Sequence, residues 1–155
     1  MLVLPAIRLA HAADAAAIAQ MSRRLIEQGL GWSWREARVR NAILDRSTNV
    51  AVMASGEGIL GFGIMQYREQ TAHLALFAIG PGHRHRGWGS RLLSWLEKPA
   101  RIAAIERVRV EARADNAGAI AFYTRHGFRP VRTIAGYYSG LVDALQLEKQ
   151  LLAPD

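Results

Sequence analysis

HRHRGWGSRLL, residues 83–93 of the 155-residue chain, places basic side chains and two glycines in front of an apolar run. An apolar stretch at 72–79 and the turn Gly80-Pro81-Gly82 precede it, so the pattern predicts a strand, a turn and then a helix. The first backbone N–H groups of a helix have no internal partner, and the helix dipole adds partial positive charge there. Glycines let a ligand approach the backbone closely. The segment therefore predicts an anion site, and phosphate is the anion expected.

The same segment also fits an ordinary strand-to-helix loop with solvated arginines. It lacks the Gly-Lys-Ser/Thr ending of a nucleotide-binding P-loop, and it is too short for a dinucleotide fingerprint. His83 and His85 have no carboxylate or cysteine neighbour in this run, so we expect them to be solvated and predict no metal site.

Composition limits the classes of protein that fit. The formal net charge is +7, and only two of the basic residues, Lys98 and Lys149, are lysines. The positive electrostatic field of such a chain attracts a phosphate-rich ligand, although arginines spread over a solvated surface would give the same net charge. The arginines are scattered rather than interleaved with aromatic residues, so nucleic-acid binding is not expected. Cysteine is absent, which excludes disulfides and a thiol nucleophile.

Length and hydropathy predict one domain over 1–155 with a substantial core, because about half of the residues are apolar. No apolar run approaches the ~18 residues of a membrane helix, and the N-terminus lacks the pattern of a signal peptide. We therefore expect a cytoplasmic protein that does not bind a membrane.

Periodicity predicts the element order β-α-α-β-β-β-α-β-α-β-β. Ser33-Trp34-Arg35-Glu36 has the form of a capping box that opens the second helix, and Pro99 is expected to end or kink the third. The strand–helix–strand unit in the middle implies a parallel pair with a right-handed crossover. The predicted elements are strand 3–9, helices 11–28 and 33–46, a hairpin of strands 50–54 and 59–67, strand 72–79, helix 87–100, strand 107–111, helix 116–126, and strands 128–134 and 144–151.

Two motifs resemble one known superfamily. Arg84-x-x-Gly87-x-Gly89 resembles the acetyl-CoA pyrophosphate loop, Gln/Arg-x-x-Gly-x-Gly/Ala, of the GNAT N-acetyltransferases. Residues 111–128, EARADNAGAIAFYTRHGF, resemble their motif Asn-x-x-Ala-x-x-x-Tyr-x-x-x-Gly-Phe. The element order also matches, so the likeness covers nearly the whole chain. It is greatest to the ribosomal-protein N-alpha-acetyltransferases and related amino-terminal acetyltransferases, which share Glu-x-Arg-x-x-Asn and a tyrosine pair, here Tyr137-Tyr138.

The resemblance implies an α/β (mixed α+β) GNAT fold. In that fold a mixed, mostly antiparallel, twisted sheet of six to seven strands is splayed at a parallel pair and flanked by about four helices. It also implies an acetyl-CoA-dependent N-acetyltransferase whose acceptor is a primary amine, and which is a monomer or a homodimer. Because no cysteine is present to carry the acetyl group, direct attack in a ternary complex is expected.

The acceptor expected from the resemblance is a protein or peptide N-terminus. The connection at 139–142 is shorter than in the ribosomal-protein enzymes and lacks their polar insert, so a small amine such as a polyamine, an amino acid or a drug is an alternative. A polyamine would need acidic residues at the acceptor site, for which Glu27 and Glu36 are candidates. A catalytically silent CoA-binding sensor is a more remote alternative.

Residue by residue, the resemblance implies two groups of cofactor contacts. Backbone groups of Phe77, Ala78 and Ile79, together with Asn116, would contact the pantetheine arm, and the same strand would hold the oxyanion. Backbone N–H groups would hold the pyrophosphate at Arg84, His85, Arg86, Gly87, Trp88, Gly89 and Ser90.

Glu111 and Tyr123 are the candidate catalytic residues. Glu111 would accept the amine proton directly or through a water, and we expect partial burial to raise its pKa. It is alternatively a structural carboxylate paired with Arg109 or Arg113. Tyr123, near the cofactor sulfur, would donate to the departing thiolate, or it is a core tyrosine packed beside Phe122.

Four aromatic residues are the candidate acceptor wall, because aromatic rings give a rigid amphipathic surface. The alternative for the tryptophans is a cover over the core. The four are Trp32, Trp34, Tyr137 and Tyr138.

Overall fold

The computed structural model describes residues 4–84 and 86–152, and its elements follow the predicted order. The strands are β1 (Ala6–Leu9), β2 (Thr48–Ser55), β3 (Gly58–Tyr67), β4 (Thr71–Ile79), β5 (Arg107–Arg113), β6 (Arg129–Tyr138) and β7 (Val142–Gln150). The α-helices are α1 (Ala15–Leu25), α2 (Glu36–Leu44), α3 (Trp88–Ile102) and α4 (Ala117–Arg125), and short 3-10 turns lie at Ala12–Asp14 and Pro81–His83.

One seven-stranded sheet has the order β1-β2-β3-β4-β5-β7-β6, and β4–β5 is its parallel pair. The expected mixed, mostly antiparallel sheet of six to seven strands with about four helices is therefore confirmed. Pairing of β4 with β5 stops at Leu74 and Val110. From there to Ile79, β4 is paired only with β3 among the described residues. The sheet opens where this pairing ends.

A register shift beside this opening reverses the faces of β4. The shift lies at Ile64/Met65 in the β3–β4 ladder. A bulge exchanges the two faces of a strand, because side chains alternate. Leu74 accordingly packs in the core beneath α3 and α4, while Leu76 packs in the core beneath α1 and α2. The sheet thus carries a separate apolar core on each face.

Several predicted boundaries are wrong for identifiable reasons. The helix expected from residue 11 begins as a 3-10 turn, where the Asp14 carboxylate accepts the His11 N–H at 2.7 Å. The capping box at 33–36 does not form, because the Ser33 hydroxyl donates to Glu27 instead. Pro99 lies inside α3, which continues to Ile102. Among the described residues, none of the helices has both the length and the apolar character needed to span a bilayer.

Candidate active site

A cavity of about 880 Å³ occupies the opening between β4 and β5. Its walls are residues 74–79 of β4, residues 110–113 of β5, the start of α3, one side of α4, the α1–α2 connection and residues 137–139. Because these segments are distant in the sequence, the cavity exists only once the sheet has formed.

The turn before α3 forms one end of the cavity. Gly87 has a φ of +77° and caps α3, a conformation that glycine adopts without a Cβ clash. The first bond within the helix runs from the Arg91 N–H to the Gly87 carbonyl. The N–H groups of Trp88, Gly89 and Ser90 therefore have no backbone partner among the described residues and can donate to an anion. The Arg84 Nε donates to the Ile79 carbonyl at 3.1 Å and holds the turn against β4.

Close packing brings α4 to this turn. A Cβ on Gly89 would lie 3.1 Å from the Phe122 ring, so only glycine allows this approach without movement. A 2.7 Å hydrogen bond joins the Ser90 hydroxyl to Nε2 of His126 at the end of α4. The His126 Nδ1 donates to the Phe122 carbonyl at 2.8 Å, since a carbonyl only accepts.

Not every predicted contact of the anion site lies on the cavity wall. Arg84, Gly87, Gly89 and Ser90 line it, whereas Arg86 and Trp88 do not. The Arg86 guanidinium lies 5.3 Å from the centroid of the Trp88 ring. The prediction for His85 falls outside the described residues.

The free edge of β4 supplies backbone groups along the cavity. Phe77, Ala78 and Ile79 all line it. They pair with β3 along one edge of β4, and the other edge is unpaired among the described residues. Such an edge offers N–H and C=O groups to an extended ligand. The Asn116 side chain also faces this cavity, where its Oδ1 caps α4 by accepting the Ala119 N–H at 3.1 Å.

Tyr123 is both a core residue and a wall of the cavity. Its side chain is buried against Phe122 and Phe128, and it also lines the opening. Burial is the main cause that raises the pKa of Tyr123 far above its usual value, with smaller contributions from the charges of Tyr138 and Glu111. The hydroxyl is therefore a proton-bearing donor at neutral pH.

Glu111 is held by three neighbours from three directions. Its Oε1 lies 2.8 Å from Nε2 of His73 on β4 and accepts the Tyr137 hydroxyl of β6 at 2.9 Å. The Arg109 Nε lies 3.3 Å from its Oε2, an atom that is buried and has no hydrogen bond to the described residues. The predicted alternative partner Arg113 instead binds Asp115.

The expected rise in the pKa of Glu111 is wrong. Burial raises this pKa, but the hydrogen bond and charge of His73, the Tyr137 hydrogen bond and the charge of Arg109 outweigh it, so the net pKa lies below the usual value. The sequence led us to expect partial burial of Glu111, but it did not indicate that His73 and Tyr137 contact its carboxylate. Glu111 is an ionised carboxylate at neutral pH that lines the cavity together with Tyr137, whose hydroxyl donates to it.

Tyr137 and Tyr138 contact different parts of Glu111. Tyr137 is 44% exposed, and burial, followed by the charge of Glu111, raises its pKa to about 12. The Tyr138 hydroxyl donates to the backbone carbonyl of Glu111 at 3.1 Å, and its pKa is also raised, chiefly by burial. Tyr137 therefore contacts the carboxylate itself, and Tyr138 fixes the strand that carries it.

The two tryptophans differ in position. Trp34 is buried in the core under α1 and α2 and also lines the cavity, with the Arg38 guanidinium 3.8 Å from its ring centroid. Trp32 does not line the cavity, and the guanidinium carbons of Arg23 and Arg35 lie 5.0 and 4.9 Å from the centroid of its ring.

Sequence reasoning missed the role of Glu27, which orders the α1–α2 connection. Its buried carboxylate accepts the Ser22 hydroxyl at 2.9 Å, the Ser33 hydroxyl at 2.6 Å and the Ser33 N–H at 2.8 Å, and the Trp34 N–H lies 3.3 Å from both oxygens. The signal available in the sequence was the pair of serines, Ser22 and Ser33, on either side of Glu27. His73 lies within an apolar run of the sequence and gave no signal of its own.

Within residues 4–84 and 86–152, His, Asp and Glu side chains form no group of three that could hold a metal ion.

Comparisons with known proteins agree with this architecture. The model of the Acetyltransferase (GNAT) family matches residues 17–128. N-alpha-acetyltransferase 20 of Dictyostelium discoideum is 35% identical over 99 residues, which cover 63% of this chain and about half (52%) of that relative. The crystal structure of Ard1 from Thermoplasma volcanium superposes with a TM-score of 0.85 at 24% identity, covering 97% of this chain and 100% of that one. Arabidopsis thaliana NAA60 in complex with acetyl-CoA gives 0.81 at 17% identity, covering 94% and 98%. On the family match, this chain belongs to the Acetyltransferase (GNAT) family.

Proposed function

We propose that the chain transfers the acetyl group of acetyl-CoA to the α-amine of a protein or peptide N-terminus. The observation that carries this proposal is the single cavity that joins the anion site before α3, the free edge of β4, Tyr123 and Glu111. The 35%-identical N-alpha-acetyltransferase supports the choice of acceptor.

The residues present fit acetyl-CoA. The free N–H groups before Arg91 and the side chain of Arg84 suit a diphosphate, because both present hydrogen-bond donors to an anion. The unpaired edge of Phe77–Ile79 suits the amide groups of a pantetheine arm. When bound, acetyl-CoA supplies an acetyl thioester, an acyl group with a thiolate as leaving group.

Glu111 and Tyr137 prepare the amine. An α-amine has a pKa near ~8 and must lose a proton before it attacks. The Glu111 Oε1 already accepts the Tyr137 hydroxyl, so the ammonium gives its proton to the Tyr137 oxygen as Tyr137 passes its own proton to Glu111. Tyr137 stays neutral throughout, in keeping with its raised pKa.

Tyr123 and β4 act on the acyl group. As the amine nitrogen bonds to the carbonyl carbon, N–H groups at the free edge of β4 near Ile79 donate to the oxygen that gains negative charge. The carbon–sulfur bond then breaks. Tyr123 donates a hydrogen bond to the thiolate, and the remaining excess proton of the nitrogen neutralises the sulfur. Glu111 then releases the proton it took up to solvent, so the products are an N-acetyl amine, free CoA and one proton.

An acceptor screen tests this function. Purified protein and acetyl-CoA are mixed with peptides of varied N-termini and with small amines, and thiol release is followed for the wild type, Tyr123→Phe and the control Tyr67→Phe. Tyr67 donates to the Leu96 carbonyl and does not line the cavity. We expect turnover of a subset of peptides that Tyr123→Phe loses and Tyr67→Phe keeps. Turnover of small amines alone would refute an N-terminal acceptor, and no binding of acetyl-CoA would refute the function altogether.

A further inference from the structure

A second cavity lies at the other end of the parallel strand pair, beyond Glu111. Its volume is about 250 Å³, which is smaller than the ~300–1,000 Å³ of cavities that hold drug-sized ligands. Among the described residues that line it, His73 and three arginines face a single acidic residue, Glu148: the arginines are Arg68, Arg107 and Arg109. The size of the cavity suits a small ion, and its charge suits an anion.

The register of the sheet places the basic side chains in one row. In the parallel pair, His73 of β4 lies beside Arg109 of β5. Side chains alternate along a strand, and the intervening Val108 is in the core beneath α3 and α4. Arg107, Arg109 and Glu111 therefore share the opposite face, so the second cavity directly adjoins the candidate active site.

Two of the arginines carry charge that no carboxylate neutralises. Arg68 and Arg107 form no ion pair with residues 4–84 or 86–152. Glu148 lies in register between Arg109 of β5 and Arg129 of β6, and it forms no ion pair in the part of the chain that the structure describes. Its charge is thus opposed by arginines on both sides, and the cavity keeps an excess of guanidinium groups.

Arg109 and His73 connect this cavity to Glu111. Both line the cavity, and both contact the Glu111 carboxylate. The Arg109 Nε lies 3.3 Å from the Glu111 Oε2, but that oxygen has no hydrogen bond to the described residues. The Arg109 side chain is 45% exposed, so its N–H donors can bind a second anion while its charge stays near Glu111.

Neutral donors complete the wall, since the amide of Gln66 and the hydroxyl of Thr71 also line it. A tetrahedral anion accepts several hydrogen bonds at once, and the guanidinium fork matches its oxygens. We propose that the second cavity binds a small tetrahedral dianion, of the class of phosphate and sulfate, beside Glu111. This site is separate from the cavity that suits acetyl-CoA, and its occupancy does not depend on which amine is the acceptor.

A bound dianion is expected to make Glu111 a stronger base. Burial raises the pKa of Glu111, but the contacts of His73 and Tyr137 and the charge of Arg109 hold it below the usual value. A dianion beside Arg109 opposes that charge and so raises this pKa again. Because a base is most effective when its pKa approaches the working pH, kcat increases by about twofold. This consequence rests on the proposed function, whereas the binding does not.

NMR on the protein saturated with CoA tests the binding, because CoA then fills the large cavity and leaves the second one for the probe. Inorganic phosphate replaces chloride at constant ionic strength, and backbone amide shifts are followed in the wild type, Arg107→Gln, Glu148→Gln and the control Arg129→Gln. Arg129 makes the same change of charge on β6 but lines neither cavity. We expect saturable shifts that cluster at residues 66–73 and 107–109.

The variants are expected to change the dissociation constant in opposite directions. Arg107→Gln weakens phosphate binding by about tenfold, as for one charge-assisted contact. Glu148→Gln tightens it by about threefold, because a repelling carboxylate is lost, and Arg129→Gln leaves it within about twofold. Phenyl phosphate, titrated in parallel, separates the two sources of the group: equal binding supports a site for phosphate esters, and weaker binding supports a site for the free ion.

Other outcomes overturn the site or its coupling to Glu111. The absence of saturable shifts at 66–73 and 107–109, shifts spread over the whole surface, or equal affinities of Arg107→Gln and Arg129→Gln would overturn the site. At saturating acetyl-CoA and acceptor, sulfate in place of chloride raises kcat in the wild type but not in Arg107→Gln. An unchanged kcat with binding intact would overturn the coupling alone. The absence of any acetyl transfer would refute the proposed function and leave the NMR result standing.

Discussion

The two ends of the large cavity are made from different parts of the chain. At the α3 end most ligand-facing groups are backbone atoms, in a glycine turn, the first turn of a helix and the free edge of β4, with the Arg84 side chain beside them. At the β5 end they are side chains from separate elements, with Glu111 held by His73 of β4 and Tyr137 of β6. Substitutions at the β5 end are therefore expected to change kcat, whereas substitutions at the α3 end are expected to change the affinity for acetyl-CoA.

Among the substitutions that test this difference between the two ends, Glu111→Gln is expected to have the largest effect. The amide cannot take up a proton, so kcat falls by about a hundredfold or more, the usual size for loss of a general base. The affinity for acetyl-CoA stays within about twofold by calorimetry, since that end is built from backbone. A parallel loss of acetyl-CoA affinity would break the comparison.

Tyr137→Phe and Tyr138→Phe separate proton transfer from support. Tyr137 donates to the Glu111 carboxylate, whereas Tyr138 donates to its backbone carbonyl. We expect kcat to fall by about tenfold or more for Tyr137→Phe, because a relay group is lost. Tyr138→Phe lowers the free energy of unfolding by about 1 kcal/mol and kcat by less. Steady-state kinetics and denaturant unfolding measure both, and equal losses of kcat would contradict the relay.

Gly87→Ala tests the α3 end. Alanine at a φ of +77° costs about 1–2 kcal/mol, and the turn relieves this strain by moving its N–H groups. The dissociation constant for acetyl-CoA is expected to rise by about tenfold. Gly82→Ala is the matched control, because Gly82 has an ordinary φ and open space around it. Calorimetry that finds the two variants alike would show that the conformation of Gly87 is not needed.

Glu27→Gln perturbs the β5 end from a distance. The amide replaces one acceptor oxygen with a donor, so the Ser22, Ser33 and Trp34 donors are no longer all satisfied. We expect a loss of about 1–3 kcal/mol in unfolding free energy and a higher KM for the acceptor, with acetyl-CoA affinity unchanged. An unchanged acceptor KM would show that the α1–α2 connection does not shape the acceptor site.

The smallest effect concerns pH. Because the pKa of Glu111 is lowered in the folded protein, the carboxylate is ionised throughout pH 5–8 and can accept the proton of the acceptor ammonium (pKa ~8), so kcat/KM is level over this range and falls only at lower pH. The same ionisation stabilises the fold above the unfolded pKa of ~4.3 and ceases to do so as pH falls through the lower folded value. His73→Asn raises the pKa of Glu111, so an acidic limb in kcat/KM moves upward. An unchanged profile would exclude His73 from this control.

Several features of the site were visible in the sequence because they depend on local chain order. The glycine turn, the start of α3 and the Asn116 cap of α4 each lie within a few residues of one another. The motifs at 84–89 and 111–128 therefore predicted both the fold and the positions of Gly87, Asn116, Glu111 and Tyr123 on the cavity wall.

The neighbours of those residues were not visible, since they come together only across strands. The pKa of Glu111 was predicted in the wrong direction because His73 precedes it by 38 residues and Tyr137 follows it by 26. Ser33 was predicted to cap α2, but a buried Glu27 carboxylate is a stronger partner for its hydroxyl than a helix end.

By itself, the sequence predicted the element order and a glycine turn before a helix at 84–89, because apolar periodicity and glycine conformation act over a few residues. The catalytic candidates Glu111 and Tyr123 followed from the resemblance of residues 111–128 to the family motif. Only the tertiary structure decided which side chains surround the amine. The end of the β4–β5 pairing at Leu74 and Val110 opens the sheet, and the register of β5 against β7 and β6 then brings Tyr137 to Glu111. Burial and charge, which set the chemistry of that end, depend on neighbours that no local pattern specifies.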